Sequence, residues 1–299
     1  MEKDSKELQS LKSPEEELAF EVLEKSKKEY SIYSQFRIPA LEALSDSIKD
    51  FQDKISKISQ QFLPPDLSGM SFLTETFSHM KRANEIRAEK YPALSSNLAE
   101  AASYSWFASV LMDFRSYEEL SFVTDGVEAD KRQEVIEAAY AEKYRELFPY
   151  LLNKVVSMFP ARAFAIAPAG AAHERGEYAL SVPVFFSQAE GILRDITFSE
   201  LFSERKSPIT KYARQQRALI PTGEHWLNLS DDAIWAQLSG DLPIGWGQKL
   251  RIDNSYTGLN RNTTLHGIDI HYASEINSLK AFSLLCHIAG IAEWQAEEE

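Results

Sequence analysis

DKRQEVIEAAYAEKYRELFPYLLNKVVSM, residues 130–158, is rich in Ala, Glu, Lys and Leu, with no glycine and a single proline, Pro149. That composition predicts one long helix, with Pro149 as the place for any kink. Pro160 punctuates it. Working outward, residues 161–173 and 176–198 predict two more helices. The second carries Tyr178, Leu180, Val182, Val184, Phe185, Phe186, Ile192, Leu193 and Ile196. It is apolar round most of its circumference, which predicts a place at the centre of a bundle. Pro183 is tolerable in its first turn. Ser274-Glu275 opens a last helix with Ile276, Leu279, Leu284, Ile288 and Ile291. Strand alternation is scarce and no repeat period is evident, so the fold class read from the chain is all-α.

Toward the N-terminus, Ser13-Pro14-Glu15-Glu16-Glu17 is a helix start: a Ser cap, Pro at the first position, and acids at the positive dipole end. Pro64-Pro65 ends that section. Residues 70–91 predict an amphipathic helix stopped by Tyr91-Pro92. Residues 93–125, with Tyr104, Trp106, Phe107, Leu111, Met112 and Phe114, predict a buried helix closed by a turn at Thr124-Asp125-Gly126. Further on, Ser230-Asp231-Asp232 is read as the cap of a short helix through Leu238, and Gly240 to Gly258 as a loop holding Trp246. The expected organisation is an N-terminal helical region over 1–130 and a C-terminal helical bundle over 131–299.

The chain has 299 residues, 44% of them hydrophobic, which suits a sizeable core. A net charge of −13 disfavours a protein that coats nucleic acid with its whole surface, but leaves room for a local basic groove. The stretch 204–217 is such a local excess, with Arg205, Lys206, Lys211, Arg214 and Arg217; it is read either as a guide for an RNA backbone or as a solvated face. The single cysteine, Cys286, excludes an intramolecular disulfide and a Cys-based zinc site, and is expected in the core. No signal peptide and no membrane span are read from the chain, and a cytoplasmic location is the expectation. There is no G-x-S-x-G elbow, no Walker-type loop and no G-x-G-x-x-G.

The chemistry concentrates in Leu259-Asn260-Arg261-Asn262-Thr263-Thr264-Leu265-His266-Gly267. An Arg and a His stand five apart, with Asn after the first and Gly after the second. If 259–266 is helical, Asn262 and His266 share a face, and Gly267 is the stop. Arg keeps its charge and offers a rigid fork to phosphate oxygens, while an imidazole can exchange protons at cellular pH. Those groups suffice for attack by an RNA 2′-hydroxyl on its neighbouring phosphate, with no metal. One His cannot easily serve as both base and acid, so a two-fold dimer would supply the second. Asn262 orients His266 or the phosphate, or else caps the helix. Glu190, a carboxylate in the apolar helix 176–198, needs a partner: Arg261, His266, Arg162 or Arg194. His266, Asp269 and His271 have spacings of three and two across an expected Gly turn, and no metal site is assigned to them. Trp246 is read as a base-stacking group or a core plug.

Arg261-Asn262-Thr263-Thr264-Leu265-His266 matches the R-x-x-x-x-H signature of HEPN domains. Tyr178-Ala179-Leu180, Gln188-Ala189-Glu190-Gly191-Ile192 and Glu275-Ile276-Asn277-Ser278-Leu279-Lys280-Ala281 resemble the flanking helices of bacterial HEPN-type proteins. The resemblance covers about residues 160–292. It implies a helical bundle and a metal-independent endoribonuclease of toxin–antitoxin, abortive-infection or CRISPR type, working as a homodimer or larger homo-oligomer, with no cofactor. Arg261 and His266 would act on RNA, Asn262 and Glu190 would position them, and an antitoxin or sensor protein would control them. The alternatives are a HEPN-like module that binds a nucleotide or protein without cleavage, and a helical adaptor that works through residues 1–130.

Overall fold

Helix α3, Arg132–Met158, runs unbroken through Pro149. The sharp turn comes after it, where Phe159 leaves helical geometry and a 3-10 turn over Pro160–Arg162 redirects the chain by 107° into α4, Ala163–Glu174. Gly176, at φ +75, turns the chain again into α5, Tyr178–Thr197. The last helix, α10, spans Glu275–Ala296, and the Ser274 hydroxyl accepts the Asn277 N–H at its start. These four helices form a bundle in which α5 packs most extensively on α10 and α4. The helix α5 buries Val182, Phe185, Phe186, Ala189, Ile192 and Leu193, yet Leu180 is exposed, so its apolar circumference is only partly covered. Phe148, Phe185 and Phe282 meet at the bundle centre, the Phe148–Phe282 centroids 4.4 Å apart.

This computed structural model describes residues 89–197, 208–220, 226–240 and 242–296. The elements expected within 1–88, the side chains of Arg205 and Lys206, and the Glu297–Glu299 tail lie outside the described residues. Within them there is no strand, and the architecture is an all-α helical bundle. No single described helix is long and apolar enough to cross a membrane.

Beside the four-helix bundle, α1 (Leu94–Ser103) packs on α7 (Trp226–Ser239), and α6 (Pro208–Leu219) packs on α7. The α-helical stretch before Tyr91-Pro92 ends at Lys90, as expected of a stop, and Pro92 stands in a 3-10 turn that leads directly into α1, where its missing N–H costs nothing. The Asp231-Asp232 pair is not a cap, because α7 begins at Trp226. Asp232 instead accepts Nε and Nη2 of Arg217 and the Ser95 hydroxyl, tying α6 and α1 to α7. Cys286 is buried, and burial pushes its thiol up and makes it inert.

The expected helix over 93–125 is interrupted. α1 ends at Ser103, Ser105 takes φ +69, and helix α2 begins only at Phe114 and runs to Ser121. Between them Ser105, Trp106, Phe107, Ala108 and Ser109 are all buried. A buried segment without helical hydrogen bonds needs other partners for its backbone. Side chains supply them. Gln237 accepts the Ala108 N–H at 2.8 Å and donates to the Ala108 carbonyl at 3.1 Å. Ser283 accepts the Phe107 N–H, Tyr144 donates to the Phe107 carbonyl, and Ser109 donates to the Cys286 carbonyl. Trp106 packs against Tyr140 and Tyr144 of α3. Residues 89–130 therefore share one core with the C-terminal helices, and among the described residues no break in packing falls at position 130.

His287 closes this network, its Nδ1 lying 2.9 Å from the Ala108 carbonyl. Burial pulls its imidazole down to about 4, against a small opposing effect of its backbone hydrogen bonds. An unfolded histidine titrates near 6.5, so between these values the unfolded chain binds more protons than the folded one. Stability is then complete above about pH 6.5 and falls as the pH drops toward 4, by on the order of 3 kcal/mol. His173, also lowered by burial, adds in the same direction. Urea unfolding at pH 7.5 and 4.5 measures the loss. His287→Asn should be less stable at pH 7.5 but lose less on acidification; an undiminished loss in that variant would assign it to other groups.

Candidate functional site

The signature stretch forms a short helix, α9, over Arg261–Leu265. It is shorter than the 259–266 span expected. Leu259 is buried before it, and Asn260 is extended at φ −139, ψ 127. The Asn260 side chain caps the helix by accepting the Thr263 N–H at 3.1 Å. Gly267, at φ +66, ends it. The Gly267 N–H donates to the Thr264 carbonyl and the Ile268 N–H to the Thr263 carbonyl at 2.8 Å, a Schellman closure that a left-handed glycine permits. The capping role open to Asn262 thus belongs to Asn260, and the stop is Gly267.

Arg261 reaches across to α5. Its Nη2 donates to Glu190 Oε2 at 2.6 Å, and its Nη1 donates to Asn262 Oδ1 at 3.1 Å. Both members of the ion pair are about one-fifth exposed, at 20% and 21%. At that exposure the pair is partly screened, and its main effect is to fix the guanidinium in direction. Of the partners open to Glu190 in the sequence, the structure selects Arg261. Arg162 is taken by Gln188 and Asp195 on the same helix, and Arg194 is exposed. Asn262 faces Arg261 with its oxygen, and its Nδ2 lies 3.3 Å from the Trp246 carbonyl and 3.4 Å from that of Gly245. It therefore supports Arg261 and the preceding loop rather than the imidazole of His266.

His266 follows the last helical residue as the C-cap, and its N–H donates to the Asn262 carbonyl at 3.1 Å. Its side chain is exposed and makes no hydrogen bond among the described residues. His271 is exposed as well, its N–H held by Asp269 Oδ1. Among the described residues no group of three or more His, Cys, Asp or Glu side chains could hold a metal ion. The segment after the motif is tied down by Tyr272, whose hydroxyl donates to the Ala179 carbonyl of α5, and by Asn277, whose amide donates to the Tyr272 carbonyl.

Before the motif, the expected loop over 240–258 contains a 3-10 turn at Pro243–Gly245 and helix α8 at Gln248–Asp253. Trp246 is half-buried, edge-on to Tyr256 at 5.5 Å, which favours the core-plug alternative over a free stacking platform. In the basic stretch, Arg217 is committed to Asp232 and Arg214 Nε donates to the Ser239 carbonyl, while Lys211 is exposed. Sequence reasoning missed Asn260 as a structural centre. An Asn directly before a Gly-terminated turn was a readable capping signal, but its second set of partners lies 14 and 17 residues upstream.

The site thus offers a guanidinium fixed by a carboxylate and an amide, and one exposed imidazole at the far end of a short helix. The motif contains a single imidazole, and the guanidinium and the imidazole stand at opposite ends of the short helix. No protein-family model, curated protein or solved structure matches this chain.

Proposed function

We propose that the protein is a metal-independent endoribonuclease of the HEPN type. The observation that carries this reading is a positioned Arg261 at the start of helix α9 and an exposed His266 at its C-cap. In the reaction, an imidazole removes the 2′-hydroxyl proton of RNA. The resulting oxygen attacks the adjacent phosphorus, and the 5′-oxygen of the next nucleotide leaves with a proton from an acid. The Arg261 fork stabilises the charge that builds on the phosphoryl oxygens. The products are a 2′,3′-cyclic phosphate and a 5′-hydroxyl.

One motif imidazole per chain leaves either the base or the acid unfilled, so the active form on this reading is a homodimer or larger homo-oligomer that brings two motifs together. Leu250 and Ile252 before the motif, and Ile268 and Ile270 after it, are exposed apolar side chains of the kind a second copy would cover. The biological role that fits is a toxin or phage-defence effector in the cytoplasm, held in check by an antitoxin or triggered by a sensor protein. A second reading, a HEPN-like module that binds a nucleotide or protein without cleaving RNA, is favoured by one observation: Glu190 already occupies one edge of the Arg261 guanidinium.

The deciding experiment incubates purified protein with total RNA in EDTA, beside an Arg261→Ala/His266→Ala double variant. Cleavage by the wild type that ends in 2′,3′-cyclic phosphate and is lost in the variant is the expected result. Equal cleavage by both, or none by either, would sink the assignment.

A further inference from the structure

Asn260 is 1% exposed, and every polar atom of its side chain is used. Its Oδ1 caps α9 at Thr263 N–H. Its Nδ2 donates to the Pro243 carbonyl at 2.9 Å and to the Trp246 carbonyl at 3.0 Å. Capping needs only an oxygen, which Ser, Thr or Asp would provide equally well. The two N–H donors are what asparagine adds, and they are spent outside the helix. Their acceptors belong to a turn that is itself anchored: Leu242, Pro243 and Ile244 are buried, and the Gly245 N–H closes on the Leu242 carbonyl. Asn262, on the other side of Arg261, turns its amide toward the same Trp246 carbonyl.

We infer that Asn260 is a positioning residue of the site, clamping the start of α9 to the 243–247 turn so that the Arg261 guanidinium stands in register with Glu190. The catalytic consequence rests on the ribonuclease reading; the placement of Arg261 does not. Both chain neighbours of Arg261 are held to one turn, so the Cα of Arg261 has little freedom, and the guanidinium is then fixed at its other end by Glu190. A charge-stabilising group must be held within about 0.5 Å to work in the transition state. Helix capping alone would keep α9 formed and still leave the whole turn free to shift against α5.

Asn260→Ser separates the two roles, since it keeps a capping oxygen and removes both donors. The expected result is a fall in kcat of about 10- to 100-fold with KM changed by less than about two-fold, and an unchanged shape of the pH–rate profile, because His266 is untouched. In parallel, the Arg261 guanidinium is observed by 15N NMR, its Nε–H resonance assigned by its absence in Arg261→Ala. It is expected to shift and broaden in Asn260→Ser. A resonance that stays in place, or a shifted resonance with unchanged kcat, overturns the inference. If the wild type does not cleave RNA at all, the ribonuclease reading fails, and the Arg261 resonance alone decides whether Asn260 positions it. Should Asn260→Ser not fold, Asn260→Asp keeps the size and the cap, loses the donors, and carries the same test.

Discussion

If the protein is the ribonuclease proposed above, replacing Arg261 by lysine is expected to lower RNA cleavage by about 100-fold or more while leaving the fold intact. The guanidinium serves two partners through separate nitrogens, Glu190 through Nη2 and Asn262 through Nη1. A lysine ammonium is a single point and cannot hold both while presenting a planar edge to a phosphate. The charge survives in Arg261→Lys, so ground-state attraction for RNA should change little and KM should move less than kcat. The stability cost is small, because the ion pair is partly exposed and solvent screens it; a change within about 1 kcal/mol is expected in thermal unfolding. Steady-state cleavage of a defined RNA measures the effect. A lysine variant within about three-fold of the wild type would mean that only the charge matters and that the planar fork is dispensable.

Gln237→Leu is the substitution expected to damage the fold most for its size. The two side chains are close in volume, so packing barely changes. What goes is the two-way bond to the Ala108 peptide, in which Gln237 accepts the N–H and donates to the carbonyl. The carbonyl keeps His287, but the Ala108 N–H is left buried with no acceptor. An orphaned buried amide plus one lost hydrogen bond amounts to about 2–4 kcal/mol. Urea unfolding followed by circular dichroism reads this as a lower midpoint with an unchanged slope. A loss below about 1 kcal/mol would show that the 104–113 segment finds another partner, and that Gln237 does not hold it.

The helices that were legible in the sequence are those whose ends are set by local chemistry. Pro160, Gly176, Ser274 and Gly267 each act within one or two turns of themselves, and the helix boundaries fall beside them. Reading failed where the deciding partner is far along the chain. Tyr104, Trp106 and Phe107 look like helix to any local measure, yet the segment is held as a buried loop by Gln237, Ser283 and His287, 129 to 179 residues away. Ser230-Asp231-Asp232 reads as a cap until Arg217 claims Asp232. At the site, the Arg–His spacing and the glycine stop were readable. The partner of Glu190 was open among four residues, and only packing α9 against α5 brought Arg261, 71 residues away, to it.

The sequence by itself determined the all-α class, the long helix α3, the short helix ending at Gly267 and the place of its Arg and His, because helix propensity, proline and glycine act over a few residues. The tertiary structure alone decided that 104–113 is a buried loop, that Asn260 rather than Asn262 is the cap, and that Glu190 faces Arg261. A buried polar group takes whichever partner packing brings within about 3 Å, and that distance depends on the whole fold rather than on its neighbours in the chain.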